Sequence, residues 1–254
     1  MYLSDRHKKD IAYIIIVFVI LIAILYSFYL HYSPKEDSVH FRTVILIDCS
    51  DSLSKRQKKS IMNDISAMND NIVKNNIDKR KLIVFAIKGD APTIPSPIIS
   101  IVIDGRGEGV GAMTNNRWKR KNSNKIKELT VNIENILSNP DDSTQTPMFE
   151  YLKHISRVVK NDRIETIDEL IIYSDFVQII ENKWPREKNK LKFSEYKKTK
   201  YYKETKIDLK NIDVKMRYII REKYKEIQNG NHREFWKEYF QDVGAKYIDF
   251  VSIY

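Results

Sequence analysis

A single cysteine in 254 residues removes two classes of chemistry at once. Cys49 has no second thiol to pair with, so the chain forms no intramolecular disulfide and no cysteine-based metal centre. Seven glycines and seven prolines are too few for a fibrous or low-complexity protein, and no internal repeat is present. The five histidines, His7, His31, His40, His154 and His232, lack any H-x-x-x-H spacing, which argues against zinc. What is present is 42% hydrophobic and 31% charged residues, enough for one domain with its own core.

Acidic residues are in the minority, and the net charge is +10. The surplus is concentrated between Lys183 and Lys206, where ten Lys or Arg face only Glu187, Glu195 and Glu204. Such a stretch could attract nucleic acid or anionic lipid, but a solvated loop or hairpin is the plainer reading.

Residues 11–30, IAYIIIVFVILIAILYSFYL, carry no charge. At about 1.5 Å per residue they reach roughly 30 Å, the hydrocarbon thickness of a bilayer. Tyr13 at one end, and Tyr26, Tyr29 and Tyr32 at the other, suit the two interfaces. A cleaved signal peptide would have a shorter apolar region and an A-x-A-like site, which SFYLHYSPKED does not offer. The expectation is therefore a tail over 1–10, an uncleaved transmembrane helix over 11–30 and a linker over 31–42, followed by one domain over 43–254. Arg6, Lys8 and Lys9 favour a cytoplasmic N-terminus and an exported domain, although Lys35 and Arg42 weaken the contrast.

Within the domain, TVILI at 43–47 is a continuous apolar run of β-branched character, as expected of a strand covered on both faces. Ile61, Ile65, Met68 and Ile72 then recur at helical spacing, predicting a helix from Ser54 to about Lys74, with Ser54 and Gln57 as a capping box. Further strands are expected over Lys81–Ile87, Ile98–Ile103, Glu169–Tyr173, Asp213–Ile220 and Tyr247–Ile253. Helices are expected over Asn122–Leu137, from Pro147 to about Val159 and around His232–Val243, with a loop over Gly105–Asn116. Alternating strands and helices predict an α/β fold, an open and mostly parallel sheet with helices on both faces. Ligands of such sheets bind beyond the carboxyl ends of the strands.

Three oxygen-bearing segments fall at such places. Asp48-Cys49-Ser50-Asp51-Ser52 follows the first strand, Ser143-Thr144-Gln145-Thr146-Pro147 opens a helix, and Ser174-Asp175 ends the strand ELIIY. Here the chain resembles the von Willebrand factor A (vWA) family in element order over roughly residues 43–254. The family's metal-ion-dependent adhesion site is a D-x-S-x-S motif, which reads DCSDS here. The resemblance implies a metal site of Asp48, Ser50, Ser52, Thr146 and Asp175. The Thr loop lacks the family's glycines, so Thr144 or Ser143 stand as alternatives to Thr146. The implied ion is Mg²⁺ or Mn²⁺, and Asp51 inside the motif could raise affinity or favour Ca²⁺. Neutral hydroxyl ligands leave surplus positive charge on the cation, so an open position would take a carboxylate from a partner protein. FWKEYF followed by GAKYIDF looks like the end of some bacterial membrane-anchored vWA-like proteins. A bacterial inner-membrane binding module, and not an enzyme, is the function these features imply.

Other readings compete. Ser50 and Ser52 could merely cap the next helix. A haloacid-dehalogenase-like phosphotransferase also starts from an aspartate after its first strand. It needs a second acid two residues on, where this chain has Ser50. A basic nucleic-acid- or lipid-binding assembly protein, as in conjugation or phage defence, would use Lys183–Lys206 and Trp118. Gly105-Arg106-Gly107-Glu108-Gly109-Val110-Gly111 has no G-K-[ST] ending and reads as a flexible loop. Phe235, Trp236, Tyr239, Phe240 and Val243 recur as the core face of a helix, and Cys49 reads as a packed small residue.

Overall fold

Eight residues, Phe41–Asp48, form strand β1 at the centre of the domain, and all but the first are buried. Its continuous apolar run is explained by cover on both faces. The computed structural model describes residues 18, 20–24, 41–75, 78–88, 96–105, 112–141, 146–161, 168–177 and 192–254. Two units are distinguished, Met1–Ser38 and Val39–Tyr254. In the first, Phe18 and Ile20–Ile24 are helical and exposed, and the remainder of the expected span 11–30 lies outside the described residues. Among the described residues no helix is long and apolar enough to cross a membrane.

After β1 the second unit runs α1 (Lys55–Asn75), β2 (Arg80–Ile87), β3 (Ile99–Ile103), α2 (Ala112–Ser138) and α3 (Met148–Asn161). It continues through β4 (Glu169–Ser174), α4 (Phe193–Tyr196), α5 (Lys200–Thr205), β5 (Asp213–Ile219), α6 (Gly230–Asp242) and β6 (Tyr247–Ile253). The six strands form one sheet in the order β3-β2-β1-β4-β5-β6. All neighbours are parallel except β2 and β3, so the expected open, mostly parallel α/β sheet is present with one antiparallel edge.

Alternation along the strands divides the core. Ile45, Ile47, Leu82, Val84 and Ile171 face Ile61, Ile65 and Ile72 of α1 and Leu129 and Ile133 of α2, an aliphatic layer. Val44, Leu46, Phe85, Ile172 and Met216 face α3 to α6, an aromatic layer containing Phe149, Tyr196, Trp236 and Tyr239. The capping box forms as expected: the Gln57 amide donates to Ser54 Oγ at 3.2 Å, and the Ser54 amide to Gln57 Oε1 at 3.0 Å.

Three expectations require correction. β1 begins at Phe41, inside the expected linker 31–42. Helix α2 begins at Ala112, well before Asn122, so the expected loop 105–116 is shortened. Its first turns carry few apolar residues and are held by polar bonds instead. Trp118 Nε1 donates to the Asp104 carbonyl at 2.6 Å, and Asn122 Nδ2 does so at 3.2 Å. Trp118 is thus a buried joint between β3 and α2. The basic stretch is the third correction. Of Lys183–Lys206, residues 183–191 lie outside the described residues, and most of the rest forms two short helices, α4 and α5. Phe193, Tyr196 and Tyr202 of these helices enter the aromatic layer, while Lys197 and Lys206 flank Asp242 of α6.

His232 on α6 is buried, with Nδ1 2.5 Å from the Tyr218 hydroxyl. Burial pushes its pKa down to about 4. The folded value therefore lies below the unfolded one, near 6.5. The resulting stability is fully present above about pH 6.5 and is lost as pH falls through 4, on the order of 3 kcal/mol in all. Denaturant midpoints measured over that window should fall steeply for the wild type and less steeply for His232→Leu. Identical slopes in the two proteins would exclude this histidine as the cause.

Candidate functional site

Strand order reverses direction between β1 and β4: the chain moves from β1 to β2 on one side and later returns to place β4 on the other. A crevice outside the carboxyl ends of the strands is expected at such a switch point. Ile47 pairs with Tyr173, so the next residues, Asp48 and Ser174, come side by side.

Asp48 has no solvent exposure and acts as a hub. Its Oδ1 accepts from the Ser50 amide at 3.1 Å and the Ser50 hydroxyl at 2.6 Å. Its Oδ2 accepts from the Ser174 hydroxyl at 2.7 Å. Ser50 Oγ lies 2.9 Å from Thr146 Oγ1, which brings in the loop before α3. Asp141 donates its amide to the Cys49 carbonyl at 2.8 Å, fastening the same region. The thiol of Cys49 is packed, and burial, then Asp48, pushes its pKa up to about 12, leaving it unreactive at neutral pH.

Asp175 is 2% exposed and turns partly away from this hub. Its Oδ1 accepts from the Val177 amide at 2.8 Å, and its Oδ2 lies 2.6 Å from Arg221 Nε. Burial first, and then the Asp48 carboxylate, raise its pKa to about 8, against the opposing pull of Arg221 and the Val177 amide. Arg221 follows β5 by two residues and is itself 5% exposed. Its Nη1 donates to the Ser52 carbonyl at 2.9 Å, while Nη2 has no hydrogen-bond partner. An unsatisfied buried donor of that kind costs on the order of 1–3 kcal/mol.

Asp48, Ser50 and Thr146 thus come together, and Asp175 stands beside them across Ser174. Ser52 is exposed; its carbonyl, not its hydroxyl, contributes a hydrogen bond. Ser143 and Thr144 lie outside the described residues. Asp51 pairs with Lys223 and lies 3.5 Å from the Tyr224 hydroxyl. Sequence reading named Ser174 among the oxygen-bearing segments but gave it no role, and it missed Arg221 and Gln228. Gln228 Nε2 donates to the Asp175 carbonyl at 3.1 Å and the Ile219 carbonyl at 2.7 Å, joining the ends of β4 and β5. The available signal was position: Ser174 and Arg221, like Asp48, stand at the carboxyl ends of buried strands.

Among the described residues no group of three or more His, Cys, Asp or Glu is placed to hold a metal. The donors present are hydroxyls and carboxylates. Their chemistry fits a hard divalent cation, since Asp48, Ser50 and Thr146 offer only oxygen and share one short hydrogen-bonded chain.

No family model matches the chain, and no curated protein matches it. Among solved structures it is similar to the manganese-loaded TRAP protein of Plasmodium vivax. The alignment covers 84% of this chain and 69% of that one, at 15% identity and a TM-score of 0.38.

Proposed function

We propose that this chain is a membrane-anchored, divalent-metal-dependent protein-binding module whose domain faces the exported side of a bacterial membrane. The observation that carries the reading is the convergence of Asp48, Ser50 and Thr146, with Asp175 beside them, at the switch point of the sheet. Asp48, Ser50, Thr146 and Asp175 would hold Mg²⁺ or Mn²⁺, with Ser52 reaching it from the exposed loop. A bound cation of this type supplies a position that accepts a carboxylate from an acidic side chain of the partner. The chain's own residues orient that exchange: Ser174 fixes the Asp48 carboxylate, and Gln228 fixes the backbone that carries Asp175.

Binding is favoured over catalysis because Ser50, where a phosphotransferase would need its acid, hydrogen-bonds Asp48 itself. His232, the buried histidine of this region, is engaged with Tyr218 on the aromatic side of the sheet.

The test uses intact spheroplasts carrying the tagged full chain. EDTA is highly charged and does not cross a bilayer, so it reaches only an exported domain. Crosslinking and capture should recover a partner that external EDTA releases, that Mg²⁺ restores and that Asp175→Ala loses. A partner indifferent to both treatments overturns the binding reading. One released by EDTA only after lysis reverses the orientation. Metal-dependent phosphatase turnover lost with Asp48→Ala would make the protein an enzyme instead.

A further inference from the structure

Arg221 is the one strong cation in direct contact with a carboxylate of the proposed metal site among the described residues. Its contact is unusual. An arginine beside a carboxylate ordinarily forms a two-pronged pair of parallel hydrogen bonds. Here Nε is 2.6 Å from Asp175 Oδ2, but its N–H is not aimed at that oxygen, and Nη2 bonds to nothing. Only Nη1 makes a hydrogen bond, and that goes to the Ser52 carbonyl at 2.9 Å. The guanidinium acts on Asp175 by proximity more than by geometry.

The backbone of the same residue is held firmly. The Arg221 amide donates to Gln228 Oε1 at 2.7 Å, and Gln228 in turn holds the Ile219 and Asp175 carbonyls. The loop can therefore stay in place while the side chain moves. It has somewhere to go: a cleft of about 460 Å³ opens beside it, lined by Asp51, Ser54, Gln57, Glu222 and Lys223. Asp51 Oδ2 is already 3.9 Å from Nη1 and can receive the displaced charge.

We propose that Arg221 is a built-in counter-cation that competes with the divalent metal for Asp175, so that its release into the cleft beside Asp51 sets the affinity of the site. The inference rests on the metal-binding reading above and adds to it the residue that tunes it. A metal ion and the guanidinium on one buried carboxylate repel each other, so metal entry and the Arg221–Asp175 contact oppose each other. Weak metal binding by the wild type follows. A partner's acidic side chain would then be recognised only where metal is abundant enough to displace the arginine.

The experiment is a calorimetric titration of the detergent-solubilised full chain with Mn²⁺. It compares the wild type with Arg221→Met, which keeps the apolar stem, Arg221→Gln, which can still bond the Ser52 carbonyl, and Asp48→Asn. Removing the charge should tighten Mn²⁺ binding by about tenfold or more, as expected of a unit charge a few ångströms from the ion. Binding seen only after Arg221 is replaced supports the inference equally. Without metal, both Arg221 variants should melt below the wild type, and Mn²⁺ should raise their midpoints more than its own. Equal or weaker affinity in the folded variants overturns the competition alone, provided wild-type binding is present and lost in Asp48→Asn. No Mn²⁺ binding by any of the proteins overturns the metal reading as well. Should neither Arg221 variant fold even with Mn²⁺ present, Arg221 is structural and the inference falls.

Discussion

Replacing Trp236 by alanine is expected to lower the unfolding free energy by about 4 kcal/mol, the range seen for large aromatic truncations in cores. Trp236 has no solvent exposure. Its ring stacks on Phe149 at 4.8 Å, meets Phe176 edge-on at 5.2 Å and lies 5.5 Å from Tyr239. Rigid rings surround it, so the space left behind does not easily collapse. Nε1 also donates to the Phe176 carbonyl at 3.0 Å, and that acceptor would be stranded. Since small domains are stable by only about 5–15 kcal/mol, the loss would remove a large share of the total stability. Trp236→Phe should recover more than half of the loss. Chemical denaturation measures both, and a loss below about 1 kcal/mol for alanine would mean the aromatic layer is far looser than its contacts suggest.

The second large effect concerns Asp48, where charge and shape can be separated. Asp48→Ala removes the acceptor for two Ser50 donors and the Ser174 hydroxyl, each worth on the order of 1 kcal/mol. Asp48→Asn keeps the shape and one acceptor oxygen. Its amide can donate to Ser174, whose oxygen already accepts from the Phe176 amide at 2.8 Å. The asparagine variant should therefore stay folded, with a melting temperature near that of the wild type. It should nonetheless lose divalent binding by about 100-fold or more, since loss of even a supporting group beside a metal costs 10- to 100-fold. Mn²⁺ titration followed by thermal melts distinguishes the cases. Unchanged Mn²⁺ affinity in Asp48→Asn would reduce DCSDS to a helix-capping loop.

Much of this fold was legible before any coordinates. TVILI, KLIVFAI and ELIIY run without a charge after their first residue because β1, β2 and β4 are covered on both faces. The face Phe235, Trp236, Tyr239 and Phe240 repeats with the helical period and is buried as a unit. The direction of β3 was not legible, since IISIVI serves a parallel or an antiparallel edge equally well. Nor were α4 and α5, where Phe193, Tyr196 and Tyr202 are separated by lysines that mask any apolar period. At the site, the segments containing Asp48, Thr146 and Asp175 could be located from strand ends and a helix start. Their pairings could not. Alternate residues of a strand point to opposite faces, so which of Ser174 and Asp175 meets Asp48 depends on register. The contact of Arg221 with Asp175 depends on β5 lying next to β4, which is a property of sheet order and not of the local sequence.

The placement of β1 between β2 and β4 has a consequence for how the protein is made. Its partner on one side follows soon after it in the chain. Its partner on the other side, β4, lies 126 residues further on, as the Thr43 to Glu169 hydrogen bond spans. At about 5–20 residues per second, a ribosome needs roughly 6–25 s to supply that second partner. For that interval the central strand of the sheet is complete while one of its edges has nothing to pair with. Unpaired apolar edges are the surfaces through which nascent chains aggregate. A strand buried at the centre of the finished sheet is thus open along one edge during synthesis.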